Sequence, residues 1–170
     1  KTKGNFNNDI GLPLMILELT CDYDVAVLEM GMSSLGEIEL LADVARPDIG
    51  VITNIGLSHI ENLKTQENIL KAKMEISTFF NENNVLIVNG EDEFLKNISG
   101  KSFKVKKIGY NHEYDVYASN IILREDETEF LAHAFGEEAV FTLPMAGKHN
   151  VLNTMLAIEV AECLNVSFKE

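Results

Sequence analysis

A chain of 170 residues, 46% of them apolar, is long enough to bury one ordinary hydrophobic core. Its 27 acidic and 14 basic residues leave a net charge of −13, which excludes a duplex nucleic acid partner because phosphate binding needs a basic face. Cys21 and Cys163 lie far apart and outside any C-x-x-C, which excludes a disulfide framework or a cysteine zinc site, and a reducing cytoplasm is the expected location.

No apolar run approaches the roughly 20 residues of a membrane span, so membrane insertion is not expected. The opening is polar and rich in Asn and Gly, a loop composition, and Ile10 to Leu19 then turns continuously apolar. That run reads as a buried helix started by Asn8 or Asp9, with Pro13 tolerated in its first turn. Asp22 to Asp24 turn the chain into a strand, Val25 to Glu29, whose unbroken apolarity suits a parallel strand covered on both faces. Ser33, Ser34 and Gly36 form a loop, and Glu37 to Val44 reads as a short helix ended by Arg46 and Pro47. A strand from Ile49 to Asn54, a loop to Asn62 and a long helix from Gln66 to Phe80, capped by Thr65, follow.

The strand Val85 to Asn89, a short helix ending at Ile98 and the strand Phe103 to Ile108 continue the alternation that marks a mostly parallel sheet. From Tyr114 the pattern changes. Tyr117 to Leu123, Glu129 to Phe135 and Ala139 to Leu143, joined by hairpin-like turns, predict a small antiparallel three-stranded sheet. A helix from Asn150 to about Leu164 closes the chain. The fold class is therefore α/β, a mostly parallel sheet flanked by helices with a small antiparallel sheet, organised as a single domain over residues 1–170.

Three groups stand at or just beyond the ends of these elements, where open α/β sheets place their chemistry. Glu29 closes an apolar strand, so its carboxylate either holds a hydrated Mg²⁺ beside a nucleotide or is one more solvated acid at a strand end. His59 follows a polar loop, as a metal ligand, a hydrogen-bond acceptor or an ordinary loop histidine. Lys73 lies in line with Ile69, Ile76 and Phe80 on the apolar stripe of its helix, whereas Lys71 falls off it. A lysine in such surroundings snorkels to water, pairs with Glu29, or is neutral part of the time and takes up CO₂ as a carbamate, an anionic oxygen ligand. Near the last helix, Asn150 and Asn153 share a face and could read a purine edge, although Asn150 is equally explained as an N-cap. Ser99, Gly100, Lys101 and Ser102 supply only the end of a Walker loop, because the required first glycine falls at Leu95.

Taken together, GNFNNDIGLP (Gly4 to Pro13), VLEMGMSSLGEI (Val27 to Ile38), RPDIGVITNIGLSHIE (Arg46 to Glu61), KAKMEI (Lys71 to Ile76) and GKHNVLN (Gly147 to Asn153) resemble the ATP-dependent Mur ligases of peptidoglycan synthesis. The separation of His59 from Lys73 is the spacing at which that family places its carbamylated lysine.

The resemblance implies a P-loop NTPase-like central domain. The Asn-rich opening and the Glu-Met-Gly form look most like the members that join D-Ala-D-Ala to UDP-N-acetylmuramoyl-tripeptide through an acyl phosphate. It also implies ATP and two Mg²⁺ ions as cofactors, with Glu29 and His59 as metal ligands and carbamylated Lys73 holding the second ion. His149, Asn150 and Asn153 would bind the adenine nucleotide, and Asn7, Asn8, Ser33 and Ser34 would face the nucleotide-sugar peptide. The family's Walker loop lies upstream of the first matching segment, and its N- and C-terminal domains have no counterpart here. The chain is thus expected to be an inactive fragment of a cytoplasmic ligase. A non-catalytic domain of the same fold, or a folylpolyglutamate- or cyanophycin-type ligase, are the alternatives.

Overall fold

The computed structural model of the chain describes residues 1–2, 4–100 and 102–168. Contacts gather into two compact units, one of Lys1–Asp48 and Ile55–Asn81, the other of Ile49–Asn54 and Glu82–Glu170. Among the described residues no helix is long and apolar enough to cross a membrane.

The first unit is helical. Helix α1 spans Gly11–Leu17, and Asn8 starts it as expected: its side-chain carbonyl accepts from the amides of Ile10 (3.2 Å) and Gly11 (2.8 Å). The expectation of a buried helix is corrected, because only Gly11, Leu12 and Met15 are covered while Leu14 and Leu17 stay exposed. Helix α2 (Glu37–Ala45) buries Ile38, Leu41 and Ala42, and the backbone leaves it at Arg46 through a left-handed turn. Two further helices, α3 (Ile60–Leu63) and α4 (Gln66–Met74), complete the unit. Thr65 caps α4 by accepting from the Asn68 amide, as its sequence position predicts. The helix stops well before Phe80, tightening into a 3₁₀ turn at Glu75–Ser77 where the Ser77 hydroxyl donates to the Met74 carbonyl.

Val25 to Glu29 is not a strand. Among the described residues its backbone bonds to the opening segment are Thr2 N–H to the Val27 carbonyl (3.0 Å) and the Glu29 amide to the Thr2 hydroxyl (2.8 Å), and these do not make a ladder. Val25 and Val27 are 47% and 61% exposed. The apolar run signals β propensity, but a strand also needs a neighbour with its own unpaired backbone.

The second unit is built on one six-stranded sheet in the order β1 (Ile49–Ile52), β2 (Val85–Asn89), β3 (Lys104–Gly109), β4 (Val116–Leu123), β5 (Thr128–Ala134) and β6 (Glu137–Leu143). β1 to β4 run parallel and β4 to β6 antiparallel, so the change of pattern after Tyr114 falls where the sequence places it. The antiparallel strands are appended directly to the parallel ones. β4 pairs in parallel with β3 through Ile108–Val116 and Gly109–Tyr117 and in antiparallel with β5, making the sheet mixed and continuous.

The short helix expected before Ile98 is a run of turns instead. There the Asp92 carboxylate takes the amides of Phe94 and Leu95 and offers the backbone an alternative to helical bonding. Helix α5 (Lys148–Cys163) begins two residues earlier than its pattern suggests. It lays Val151, Met155, Leu156 and Ile158 on Ile87, Ile108, Val116, Phe130 and Ala132 of the sheet, the largest continuous core of the unit.

Candidate functional site

In the first unit, Glu29 is held from two sides. The Asn7 side-chain amide donates to its Oε1 at 2.9 Å, and the Thr2 hydroxyl accepts from its backbone amide. Asn7 is itself fixed where its carbonyl takes the Gly31 amide at 2.7 Å. A Cβ at Gly31 would stand 3.1 Å from the Asn7 amide group, so the glycine permits this approach. The sequence pattern separates Asn7 and Glu29 by 22 residues, and the fold makes them partners.

His59 is exposed and takes a left-handed backbone conformation, φ 65°, at the start of α3. A histidine held at positive φ is uncommon and points to a constraint at that position. The loop that carries it is tied to α4, since the Gln66 amide donates to the Ile55 carbonyl (2.9 Å) and the Asn68 amide to the Leu63 carbonyl (2.7 Å). Lys73, in the last turn of α4, is half-buried, while Lys71 is exposed, as the apolar stripe predicts.

Ser33 and Ser34 are wired to Glu37. The Ser33 amide donates to one carboxylate oxygen at 2.5 Å and the Ser34 hydroxyl to the other at 2.6 Å. The Ser34 hydroxyl and then the Ser33 amide hold the Glu37 carboxyl below the usual carboxylate range, and the nearby His59 adds a little in the same direction.

In the second unit, α5 is entered through Gly147 at φ 112°, a conformation suited to glycine, and a Cβ there would stand 2.6 Å from the His149 ring. Asn150 is not the N-cap. It lies inside the first turn and donates its side-chain amide to the Ala146 carbonyl at 2.8 Å, while Asn153 is exposed. Two partners here escaped the sequence reading. Buried Thr128 donates to the Met145 carbonyl (3.0 Å) and accepts from the Gly147 amide (3.2 Å), clamping the loop before α5. Tyr110, just past β3, donates its hydroxyl to the Lys148 carbonyl at 3.2 Å. Neither sits in a motif, and only pairing across the sheet reveals them.

The Mur ligase middle domain, as a sequence family, matches residues 1–161. The chain belongs to the Mur ligase family. It is 44% identical over 158 residues to the UDP-N-acetylmuramoyl-tripeptide–D-alanyl-D-alanine ligase of Bacillus subtilis, covering 93% of this chain and 34% of that protein. A crystal structure of MurF from Acinetobacter baumannii superposes with a TM-score of 0.90 at 32% identity, over 99% of this chain and 37% of the other. The MurF ligase of Thermotoga maritima, solved in complex with ADP, gives 0.82 at 30% identity over 98% and 39%. The chain spans about a third of the length of these relatives, and its mixed six-stranded fold is that of the Mur ligase middle domain.

Within this Mur ligase domain the candidate residues divide between the two units. Asn7, Asn8, Glu29, Ser33, Ser34, His59 and Lys73 belong to the first, and His149, Asn150 and Asn153 to the second. Direct bonds join Asn7 to Glu29 and, through Glu37, Ser33 to Ser34. Asn8 spends its carbonyl on the start of α1. Of the candidate metal ligands, the Glu29 carboxylate is the oxygen donor that a hard cation such as Mg²⁺ prefers. Among the described residues no three His, Cys, Asp or Glu gather into a cage, and Mg²⁺ is usually held by one or two carboxylates plus water and substrate phosphates.

Proposed function

We propose that this chain belongs to the middle domain of an ATP-dependent ligase that joins D-Ala-D-Ala to UDP-N-acetylmuramoyl-tripeptide in the cytoplasm. The 44% identity to the Bacillus ligase, over 93% of the chain, carries the reading of substrate type. The Asn7 to Glu29 bond supports the placement of the metal. In this reading ATP phosphorylates the tripeptide carboxylate, the amine of D-Ala-D-Ala attacks the acyl phosphate, and phosphate leaves. Glu29, His59 and a carbamylated Lys73 would hold two Mg²⁺ ions, which when bound neutralise charge on the transferring phosphoryl group.

The remaining residues bind and orient. Asn7 aims the Glu29 carboxylate, and Thr2 pins the Glu29 backbone. Asn150 and Asn153, with His149, would contact the adenine at the start of α5, on a loop clamped by Thr128. Ser33, Ser34, Asn7 and Asn8 would face the nucleotide-sugar peptide. Asn8 would offer only its amide donors there, and Ser34 its oxygen as an acceptor, because their other groups are engaged.

The test is phosphate release from ATP by the intact protein that carries this chain, given UDP-N-acetylmuramoyl-tripeptide and, in turn, D-Ala-D-Ala, D-Glu, diaminopimelate or L-Lys. Release with D-Ala-D-Ala alone is expected. Release with a different acceptor would reassign the substrate, and release with none would make this a non-catalytic domain of the same fold.

A further inference from the structure

Helix α2 begins without a cap of its own. Gly36, at its N-cap position with φ 87°, has no side chain to offer, and Glu37 in the first turn is turned back toward Ser33 and Ser34. The orphan amides are met from far along the chain. Both carboxylate oxygens of Glu75 accept from the Gly36 amide, at 2.8 and 3.0 Å, and one of them also accepts from the Glu39 amide at 3.3 Å. Glu75 opens the 3₁₀ turn that continues α4, two residues after Lys73, and this turn packs against α2.

Two carboxylates therefore bracket the Ser33 to Gly36 loop. Glu37 holds its front and Glu75 its back, the latter from the element that carries Lys73. An anion at a helix N-terminus is favoured by the helix dipole, which lets a third carboxylate settle beside Glu37 and Glu39. At φ 87° Gly36 holds a backbone conformation that L side chains rarely adopt, so a Ser or Asp cap is disfavoured there and the acceptor comes from elsewhere in the chain. Taking it from the end of α4 does something a local cap cannot: it sets the spacing between the serine loop and the lysine helix.

We propose that Glu75 is a positioning residue of the ligase reaction, latching the Ser33–Ser34 loop to the Lys73 helix so that the nucleotide-sugar peptide is held in register with the phosphoryl-transfer site. This rests on the function proposed above. It deepens that reading by assigning Glu75, a residue of the KAKMEI segment in which only the lysine carries a role in the sequence reading.

The test has two arms. In the intact protein, Glu75→Ala should raise KM for UDP-N-acetylmuramoyl-tripeptide about tenfold, the loss of roughly one hydrogen bond to a charged group, with KM for ATP changed less than about twofold. Glu75→Gln, which keeps an acceptor oxygen, should restore most of the difference. A variant that lowers kcat or the melting temperature while leaving both KM values unchanged would reduce Glu75 to a structural cap and overturn the inference.

In the intact protein, amide hydrogen exchange reads the latch without turnover. Glu75→Ala should speed exchange at Gly36 and Glu39 about tenfold or more while β2 amides are unchanged. Unchanged exchange at Gly36 and Glu39 overturns the latch itself. A wild-type intact protein with no turnover on any acceptor would instead overturn the proposed function and with it the KM arm, the exchange result still deciding the latch.

Discussion

At the scale of single residues, the chemistry of the first unit depends on who holds each carboxylate. Glu29 is exposed, and an exposed carboxylate samples several rotamers unless something fixes it. The Asn7 amide does this, at the cost of one oxygen's lone pair, and holds the carboxylate in one orientation. Asn7→Ala should therefore weaken Mg²⁺ use as well as turnover. We expect kcat of the intact protein to fall about tenfold, the lower end for a hydrogen bond to a charged group, with a higher Mg²⁺ concentration at half-maximal rate. An unchanged Mg²⁺ titration would separate Asn7 from the metal. The sequence marks both residues as candidates, Asn7 for the substrate and Glu29 for the metal. It holds no sign that they touch, because a pairing across 22 residues leaves no periodicity behind.

At the scale of elements, α5 is joined to β3 by a buried ion pair. Glu159 is fully buried in the helix face that meets the sheet, and its Oε1 lies 3.1 Å from the Lys106 Nζ, while Asp115 approaches the same ammonium at 3.5 Å. Its other oxygen is buried without a hydrogen-bond partner among the described residues, as is one oxygen of Glu162. Burial pushes the Glu159 carboxyl up, against the pull of Lys106. At Lys106 burial pushes down, but the bond and charge of Glu159 outweigh it and the ammonium ends above its usual value.

The two linkages have definite signs. The Lys106 contribution is fully present below the ordinary lysine range and lost as pH rises through the raised folded value. Glu159, raised as well, favours the fold below the ordinary carboxylate range and loses that contribution as pH rises through its own folded value. Lys106→Met leaves a buried carboxylate with no cation, so we expect a loss of about 3 kcal/mol in denaturant unfolding near neutral pH, and a smaller loss at about pH 5 where Glu159 more readily takes a proton. Lys106→Met with Glu159→Leu should recover most of it. Equal losses at both pH values would show that the lysine acts by packing alone.

At the scale of the whole molecule, a net charge of −13 sets the terms on which a polyanion can bind. ATP brought to such a chain is repelled unless a cation comes with it. The sequence contains no complete Walker loop, because the glycine required ahead of Gly100, Lys101 and Ser102 is replaced by Leu95, a fully buried core residue. The 170-residue chain should therefore release no phosphate from ATP with any acceptor, and calorimetry should find nucleotide binding only in the presence of Mg²⁺ and abolished by EDTA. Tight binding in EDTA would mean that backbone donors, not a cation, hold the phosphates.

The amino-acid sequence alone determined the family, the α/β class, the change from parallel to antiparallel strands, and the helices whose signals are local. Thr65 caps α4, Asn8 starts α1 and Lys73 lies on an apolar stripe because each effect acts within one or two turns of chain. What only the tertiary structure decided was every feature that needs a distant partner. Val25 to Glu29 reads as a strand but has no ladder among the described residues, β4 is the strand that joins the antiparallel part to the parallel one, and the cap of α2 comes from Glu75, 39 residues beyond Gly36. The division has one physical cause. Hydrophobic period and capping chemistry are written in neighbouring residues, whereas the satisfaction of a buried or orphaned polar group is settled only when the chain brings its partner into hydrogen-bond range.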